Sequence, residues 1–235
     1  MANFGLSRLA VAAPYAPHWR EARSAVGAPE LLLSATESLT LADAVATCTL
    51  VIGTGTRTYR KPEQSVVLLP NLGPIVAREL ERGGRVALVF GPEKHGLTRE
   101  DLSWCHLFTE IPTDALQPSM NLGQAVAVCL YELACRAVSE DSSKKSTSEF
   151  DPRVKLVRDE TGSDVAIHVS TPSEQLDLLA GVVEEAMIAA GYSPNAMRTA
   201  NRHDLRLLLR RLHLTAADAR RILGVFRRIV WRLKS

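Results

Sequence analysis

Three continuous apolar runs, each halted by glycine or proline, constrain this chain more than any other feature. They are Arg8–Pro14 (RLAVAAP), Thr49–Gly55 (TLVIGTG) and Arg85–Gly91 (RVALVFG). Aliphatic and β-branched residues without polar alternation mark strands buried on both faces. A weaker run, Leu107–Pro112, follows. Helical stretches lie between: Leu41–Ala46, Leu72–Arg82 closed by Gly83 and Gly84, and Thr98–Leu102, where Thr98 and Asp101 stand at capping-box spacing. Leu122–Val138 predicts a longer helix, apolar around most of its circumference and so expected to be buried. Strands alternating with helices define an α/β class, a mostly parallel sheet with helices on both faces.

The alternation stops near Val138. Residues Ser139–Glu149 are polar and low in complexity, and 139–150 reads as a linker, separating an α/β domain at 1–138 from a helical region at 151–235. In the latter, Ser173–Gly191, Asp204–His213 and Thr215–Trp231 read as helices. The formal net charge of +2 hides a strong asymmetry: Pro194–Ser235 holds eleven Lys/Arg against two acids, a net +9 over 42 residues, so the remainder carries −7. Charge segregated in this way predicts a polyanion-binding tail on an acidic body. The arginines can track phosphates, or they can be the solvated face of amphipathic helices whose buried side is Leu205, Leu208, Leu209 and Leu212; both can hold at once.

Several classes are set aside. No apolar run approaches the roughly 18–20 residues of a membrane-spanning helix, and no signal peptide is visible, so no membrane partner is expected. Cys48, Cys105, Cys129 and Cys135 match no zinc or redox spacing and are expected to be reduced core thiols of a cytoplasmic protein, with no metal bound.

Open α/β sheets bind ligands beyond the carboxyl ends of their strands. Three segments fall there. Gly53-Thr54-Gly55-Thr56-Arg57 lacks the third glycine of a dinucleotide fingerprint, and by itself reads as a tight turn. Gly91-Pro92-Glu93 with Gly96 follows the third run, where glycine permits close backbone approach or positive φ. Pro118–Val128 (PSMNLGQAVAV) places Ser119 and Asn121 at the mouth of an apolar helix. Ser119 is either a ligand contact or simply the helix cap.

These segments carry a resemblance. LVFGPEKHGLT, CHLFTEIPTD and PSMNLGQAVAVCLYEL, in that order and spacing, resemble the second and third motifs of the SpoU/TrmH family of RNA 2′-O-ribose methyltransferases, and NFGLSRLAVAAP and ADAVATCTLVIGTGTR resemble its early strands. The resemblance covers Asn3–Val138 and implies the trefoil-knotted SPOUT fold, a homodimer, and S-adenosylmethionine as methyl donor. It implies a donor cleft formed by Thr54, Gly55, Gly91, Glu93, Gly96, Ile111, Ser119, Met120, Asn121 and Leu122. Ser119 and Asn121 would orient the ribose 2′-OH and the donor. Glu93 would fix the loop or the substrate, or would pair with backbone amides. The basic C-terminal region resembles the TrmJ-type subgroup, which methylates tRNA at nucleotide 32 of the anticodon loop. RNA contacts are accordingly expected from Arg57, Arg202, Arg206, Arg210 and Arg211. An rRNA substrate, a catalytically silent RNA-binding protein and an ordinary nucleotide-binding domain are the competing readings.

One departure stands out. The family's first motif, Asn-x-Gly-x-x-x-Arg, precedes the matched region. Asn3, Gly5 and Arg8 come near it, but the sequence around them aligns with the turn into the second family strand. The chain is therefore expected to lack the first strand and helix, through a late start or through degeneration.

Overall fold

The computed structural model describes residues 1–15, 18–21, 27–57, 61–141 and 170–235, with backbone only for 135–141. The strands are β1 (Ala10–Ala12), β2 (Thr36–Ser38), β3 (Leu50–Thr54), β4 (Ser65–Leu68), β5 (Val86–Val89) and β6 (Leu107–Glu110). The helices are α1 (Pro29–Leu33), α2 (Leu41–Val45), α3 (Gly73–Glu81), α4 (Arg99–Ser103), α5 (Leu122–Asp141), α6 (Ser173–Ala189), α7 (Arg198–Arg211) and α8 (Ala216–Lys234). All described strand pairings are parallel, as expected, but they form two sheets: β1–β2, and a four-stranded sheet in the order β4-β6-β3-β5.

β3 is central, with Ile52 opposite Leu88 on one side and Leu107 on the other. Its side chains alternate between faces, as strand geometry requires. Val51 enters a cluster with Val45, Val89, Leu97, Leu102, Cys105 and Phe108, which seats α2 and α4 on one face. Leu50 and Ile52 enter a second cluster with Leu69, Leu72, Leu107 and Cys129, which seats α3 and α5 on the other. Cys48, Cys105 and Cys129 are free thiols, and burial pushes the Cys105 thiol up to about 12. The Cys135 side chain lies outside the described residues.

Two expectations about helices change. α5 is not enclosed: Cys129 and Leu130 are buried, but Val128 and Tyr131 face out, because α5 packs on the sheet from one side only. It also runs to Asp141, past the expected linker start; residues 142–150 lie outside the description. In α7 the buried leucines are Leu205, Leu207 and Leu209, whereas Leu208 and Leu212 are about half exposed. α7 touches α6 on one side and α4 on another, so two of its faces are covered.

The three C-terminal helices share a core of Leu179, Ala180, Val183, Leu205 and Leu209. They are joined to the α/β body by directed hydrogen bonds. The amide and hydroxyl of Ser173 donate to the Cys48 carbonyl at 2.9 and 3.0 Å, and the Glu174 amide donates to the Ala46 carbonyl at 2.9 Å. The N-terminus of α6 thus satisfies its free amides on the carbonyls that end α2.

Candidate donor cleft and RNA face

The cleft forms where β3, β5 and β6 all deliver their carboxyl ends. The Thr54 hydroxyl donates to the Val89 carbonyl at 2.9 Å, and the Gly55 amide donates to the Thr109 carbonyl at 3.2 Å, tying the three strand ends together. Beyond β5 the chain turns back sharply: the Gly96 amide donates to the Pro92 carbonyl at 2.6 Å. A Cβ on Gly91 would lie 2.2 Å from the Gly96 carbonyl carbon and 2.3 Å from the Leu97 nitrogen, so only glycine fits. Gly96 itself adopts φ +61°, the left-handed conformation that glycine accepts without strain. The loop then enters α4 through a full capping box between Thr98 and Asp101, which anchors it at the sequence position expected.

The third segment closes the cleft. The hydroxyls of Thr56 and Thr113 both donate to the Pro118 carbonyl at 3.3 Å, drawing Pro118–Leu122 against the other two loops. Asn121, not Ser119, caps α5: its Oδ1 accepts from the Gly123 amide at 2.9 Å. Its Nδ2 donates to Glu93 Oε1 at 2.6 Å, bridging the second and third segments. The Ser119 hydroxyl is exposed and has no protein hydrogen-bond partner among the described residues. The cleft, about 180 Å³, is lined by Thr54, Gly55, Gly91, Glu93, Gly96, Ile111, Ser119, Met120 and Leu122. Asn121 joins this set through Glu93. The structure therefore brings together every residue expected there. It adds Lys94 and His95 on the Gly91–Gly96 loop, which sequence reasoning passed over although they lie inside the motif.

The arginines expected to meet RNA sort into two groups. Arg57 is held on Glu110, its backbone amide donating at 2.8 Å and its Nε at 2.6 Å. Arg202 Nε donates to Glu184 at 2.9 Å. Arg206 pairs with Glu100 and lies 3.7 Å from the centroid of the Trp104 ring. Arg210 is the clear correction: its side chain is 1% exposed, with Nη2 donating to Asp177 at 2.8 Å and Nε to the Trp104 carbonyl at 3.1 Å, so it cannot reach an external phosphate. Burial raises the Asp177 carboxyl above its usual range, although the Arg210 charge pulls the other way. Arg211 is exposed, with no carboxylate partner among the described residues. The signal was present in the sequence: His203, Arg206 and Arg210 are spaced by three and four and so share one helix face, the face that meets α4.

Parallel strands ending in a three-loop cleft define the class: an open α/β fold that takes its ligand beyond the carboxyl ends of its strands. Residues 1–131 match the SpoU rRNA Methylase family. The chain is 30% identical, over 98% of its own length and 84% of the relative's, to the tRNA (cytidine/uridine/adenosine-2′-O-)-methyltransferase TrmJ of Pseudomonas aeruginosa (strain UCBPP-PA14). It is 37% identical over 57% of its length to the tRNA (cytidine/uridine-2′-O-)-methyltransferase TrmJ of Yersinia enterocolitica, of which it spans 51%. The crystal structure of TrmJ from Z. mobilis ZM4 superposes with a TM-score of 0.74 at 26% identity, covering 97% of this chain and 89% of that one. The chain belongs to the SpoU rRNA Methylase family.

Proposed function

We propose that the chain methylates the ribose 2′-OH of a tRNA nucleotide, position 32 of the anticodon loop, with S-adenosylmethionine as donor. The observation that carries this reading is the cleft: three loops converge where a Cβ on Gly91 would fill the turn, and Asn121 couples the cap of α5 to Glu93. The cleft is lined mainly by glycines, apolar side chains and short polar side chains, with Glu93, Lys94 and His95 on one loop, a mixture that suits a flat adenosine carrying a charged tail. When bound, S-adenosylmethionine supplies a methyl group activated by a sulfonium sulfur.

The chain's own part is positional. Gly55, Gly91, Gly96, Ile111, Met120 and Leu122 hold the donor through backbone and apolar contacts. Asn121 holds Glu93, and Glu93 fixes the Gly91–Gly96 loop. Ser119, whose hydroxyl is unspent on the fold, orients the incoming 2′-OH. The molecule acts as a homodimer through the outward face of α5, where Val128 and Tyr131 are 37% and 58% exposed. The reading places its work in the cytoplasm and calls for no metal. Among the described residues no His, Cys, Asp or Glu cluster could hold a metal ion, and none of their helices is long and apolar enough to cross a membrane.

The test has two stages. Calorimetric titration with S-adenosylmethionine is expected to saturate near one site per chain. Transfer of a labelled methyl group is then measured to a tRNA transcript and to the same transcript already 2′-O-methylated at nucleotide 32. Transfer only to the first supports the reading. Equal transfer to both refutes the position, and donor binding without transfer to either refutes the activity.

A further inference from the structure

Charge reaches the lining of the donor cleft on one loop only. The strand ends and the Pro118–Leu122 segment contribute neutral side chains, Ile111 and Leu122 among them. The Gly91–Gly96 loop contributes Glu93, Lys94 and His95 in succession. This loop is a fixed turn. The His95 amide donates to the Pro92 carbonyl at 3.2 Å and the Gly96 amide donates to the same oxygen at 2.6 Å, so Glu93 and Lys94 hold the two corner positions. Gly91 packs against the Gly96–Leu97 peptide at one end, and the capping box of Thr98 and Asp101 anchors the other.

The fold uses these two corner residues only in part. Glu93 Oε1 accepts from Asn121, but Oε2 has no partner among the described residues. Lys94 is exposed and makes no ion pair or hydrogen bond among them. A lysine with no task in the fold, at the corner of an anchored turn on a cleft wall, is available to a ligand. A carboxylate oxygen and an ammonium offered by neighbouring residues complement a zwitterion, the pair of charges that an amino acid carries. Inside a cleft such contacts are screened less than on open surface, so they discriminate more.

We infer that Lys94 and Glu93 form the subsite for the amino-acid end of the methyl donor: the Lys94 ammonium receives its carboxylate, and Glu93 Oε2 receives its amino group. The inference rests on S-adenosylmethionine being the donor, and it fixes which way round the donor lies. The uncharged adenosine takes the neutral walls, and the amino-acid end runs along the Pro92–His95 turn. Asn121 gains a positioning part, since it occupies Oε1 and leaves Oε2 for the ligand. Specificity follows. An adenosine thioether without the amino-acid end fills the neutral walls but leaves both corner charges unpaired. A donor lacking only its carboxylate brings an ammonium beside Lys94 with nothing to offset the repulsion. The turn therefore selects the donor by its carboxylate and not by its adenosine alone.

The test is calorimetry on the full chain without RNA, using three ligands: S-adenosylmethionine, its decarboxylated form, and 5′-methylthioadenosine, which lacks the whole amino-acid end. The wild type is expected to bind S-adenosylmethionine about tenfold more tightly than the decarboxylated form. Lys94→Met keeps the aliphatic stem and removes the charge. It should bind S-adenosylmethionine about tenfold more weakly, the decarboxylated form no more weakly, and 5′-methylthioadenosine as before, with an unchanged melting temperature. Lys94→Arg should keep most of the preference. Raising the salt should narrow the wild-type preference and leave Lys94→Met unmoved. Glu93→Gln, whose Oε1 still accepts from Asn121, should weaken both amino-bearing ligands several-fold and spare 5′-methylthioadenosine. A preference retained by Lys94→Met would overturn the inference. So would a loss of tRNA affinity in Lys94→Met with donor preference intact, which would assign this lysine to an RNA phosphate. Wild-type binding without any preference would overturn the subsite and leave the donor reading standing, whereas no binding of any of the three would refute the donor reading and the subsite with it.

Discussion

The Arg206 guanidinium lies 3.7 Å from the centroid of the Trp104 ring, and the Arg210 guanidinium lies 5.4 Å from the same ring. Trp104 immediately follows α4, the helix that the Gly91–Gly96 loop enters. One aromatic residue therefore joins the C-terminal bundle to the element that ends the donor loop. Trp104→Ala removes two cation–π contacts and a half-buried ring, and it should cost about 2–4 kcal/mol. Urea denaturation measures that loss. The looser α4 should also weaken S-adenosylmethionine binding, whereas Trp104→Phe keeps most of both.

Arg210 tests whether a buried ion pair supports the docking. Removing it by Arg210→Ala leaves the Asp177 carboxylate partly buried and unpaired, and the expected loss is about 3–5 kcal/mol. Arg210→Met combined with Asp177→Leu removes both charges and should recover most of that stability. Equal losses in the single and double variants, read from denaturation midpoints, would show that the pair is not the source.

How much of this was legible beforehand depends on the kind of signal. The runs that became β1, β3, β5 and β6 announced themselves because buried parallel strands are continuous in apolar character. β2 (Thr-Glu-Ser) and β4 (Ser-Val-Val-Leu) did not, being short and partly polar. Their place is fixed by pairing with a neighbour, which local sequence does not encode. The cleft residues were legible through the resemblance of three ordered segments to a known family; taken alone, Gly53–Arg57 reads as a tight turn and Ser119 suits a cap equally well. The roles within the cleft were less so: Ser119 and Asn121 both suit a cap, and only the fold shows that Asn121 takes it. The arginines were least legible, since charge alone does not say whether a guanidinium faces solvent or a carboxylate from 106 residues away, as Glu100 is from Arg206.

His106 gives stability a pH dependence. Its Nδ1 accepts the Val51 amide at 3.0 Å in a site where it is 6% exposed. Burial, with the Arg210 and His213 charges adding to it, lowers its pKa to about 3. The unfolded chain binds this proton near pH 6.5, the folded chain only near 3, so between those values the unfolded state holds more protons and stability falls as pH falls. The contribution is fully present above about pH 6.5 and fades by about 1.4 kcal/mol per pH unit below it. His106→Asn, whose Oδ1 can still accept from Val51, should flatten that limb of a stability-against-pH curve.

Gly91→Ala addresses the turn of the donor loop. The new methyl group would overlap the Gly96–Leu97 peptide, so the loop must open and the Gly96–Pro92 hydrogen bond must break. Donor binding should drop below detection by calorimetry. Leu97 belongs to the core cluster under α4, so the melting temperature should fall as well, while the cluster on the other face of the sheet is left in place.

Ser119 and Asn121 lie two residues apart and should fail in different ways. Because the Ser119 hydroxyl has no protein partner among the described residues, Ser119→Ala should leave the melting temperature and the donor affinity unchanged. If it orients the 2′-OH, methyl transfer should still fall by roughly 10- to 100-fold in kcat, as loss of a positioning contact does. Asn121→Ala removes a helix cap, at a cost of about 1 kcal/mol, and also frees Glu93 from its 2.6 Å partner. Donor affinity, stability and kcat should then all decline together. Asn121→Asp separates the two roles: its carboxylate still caps α5, which restores stability, but it cannot donate to Glu93 and instead repels it, so donor affinity should stay low. Wild-type transfer by Ser119→Ala, or wild-type donor affinity in Asn121→Asp, would remove the corresponding residue from the working part of the cleft.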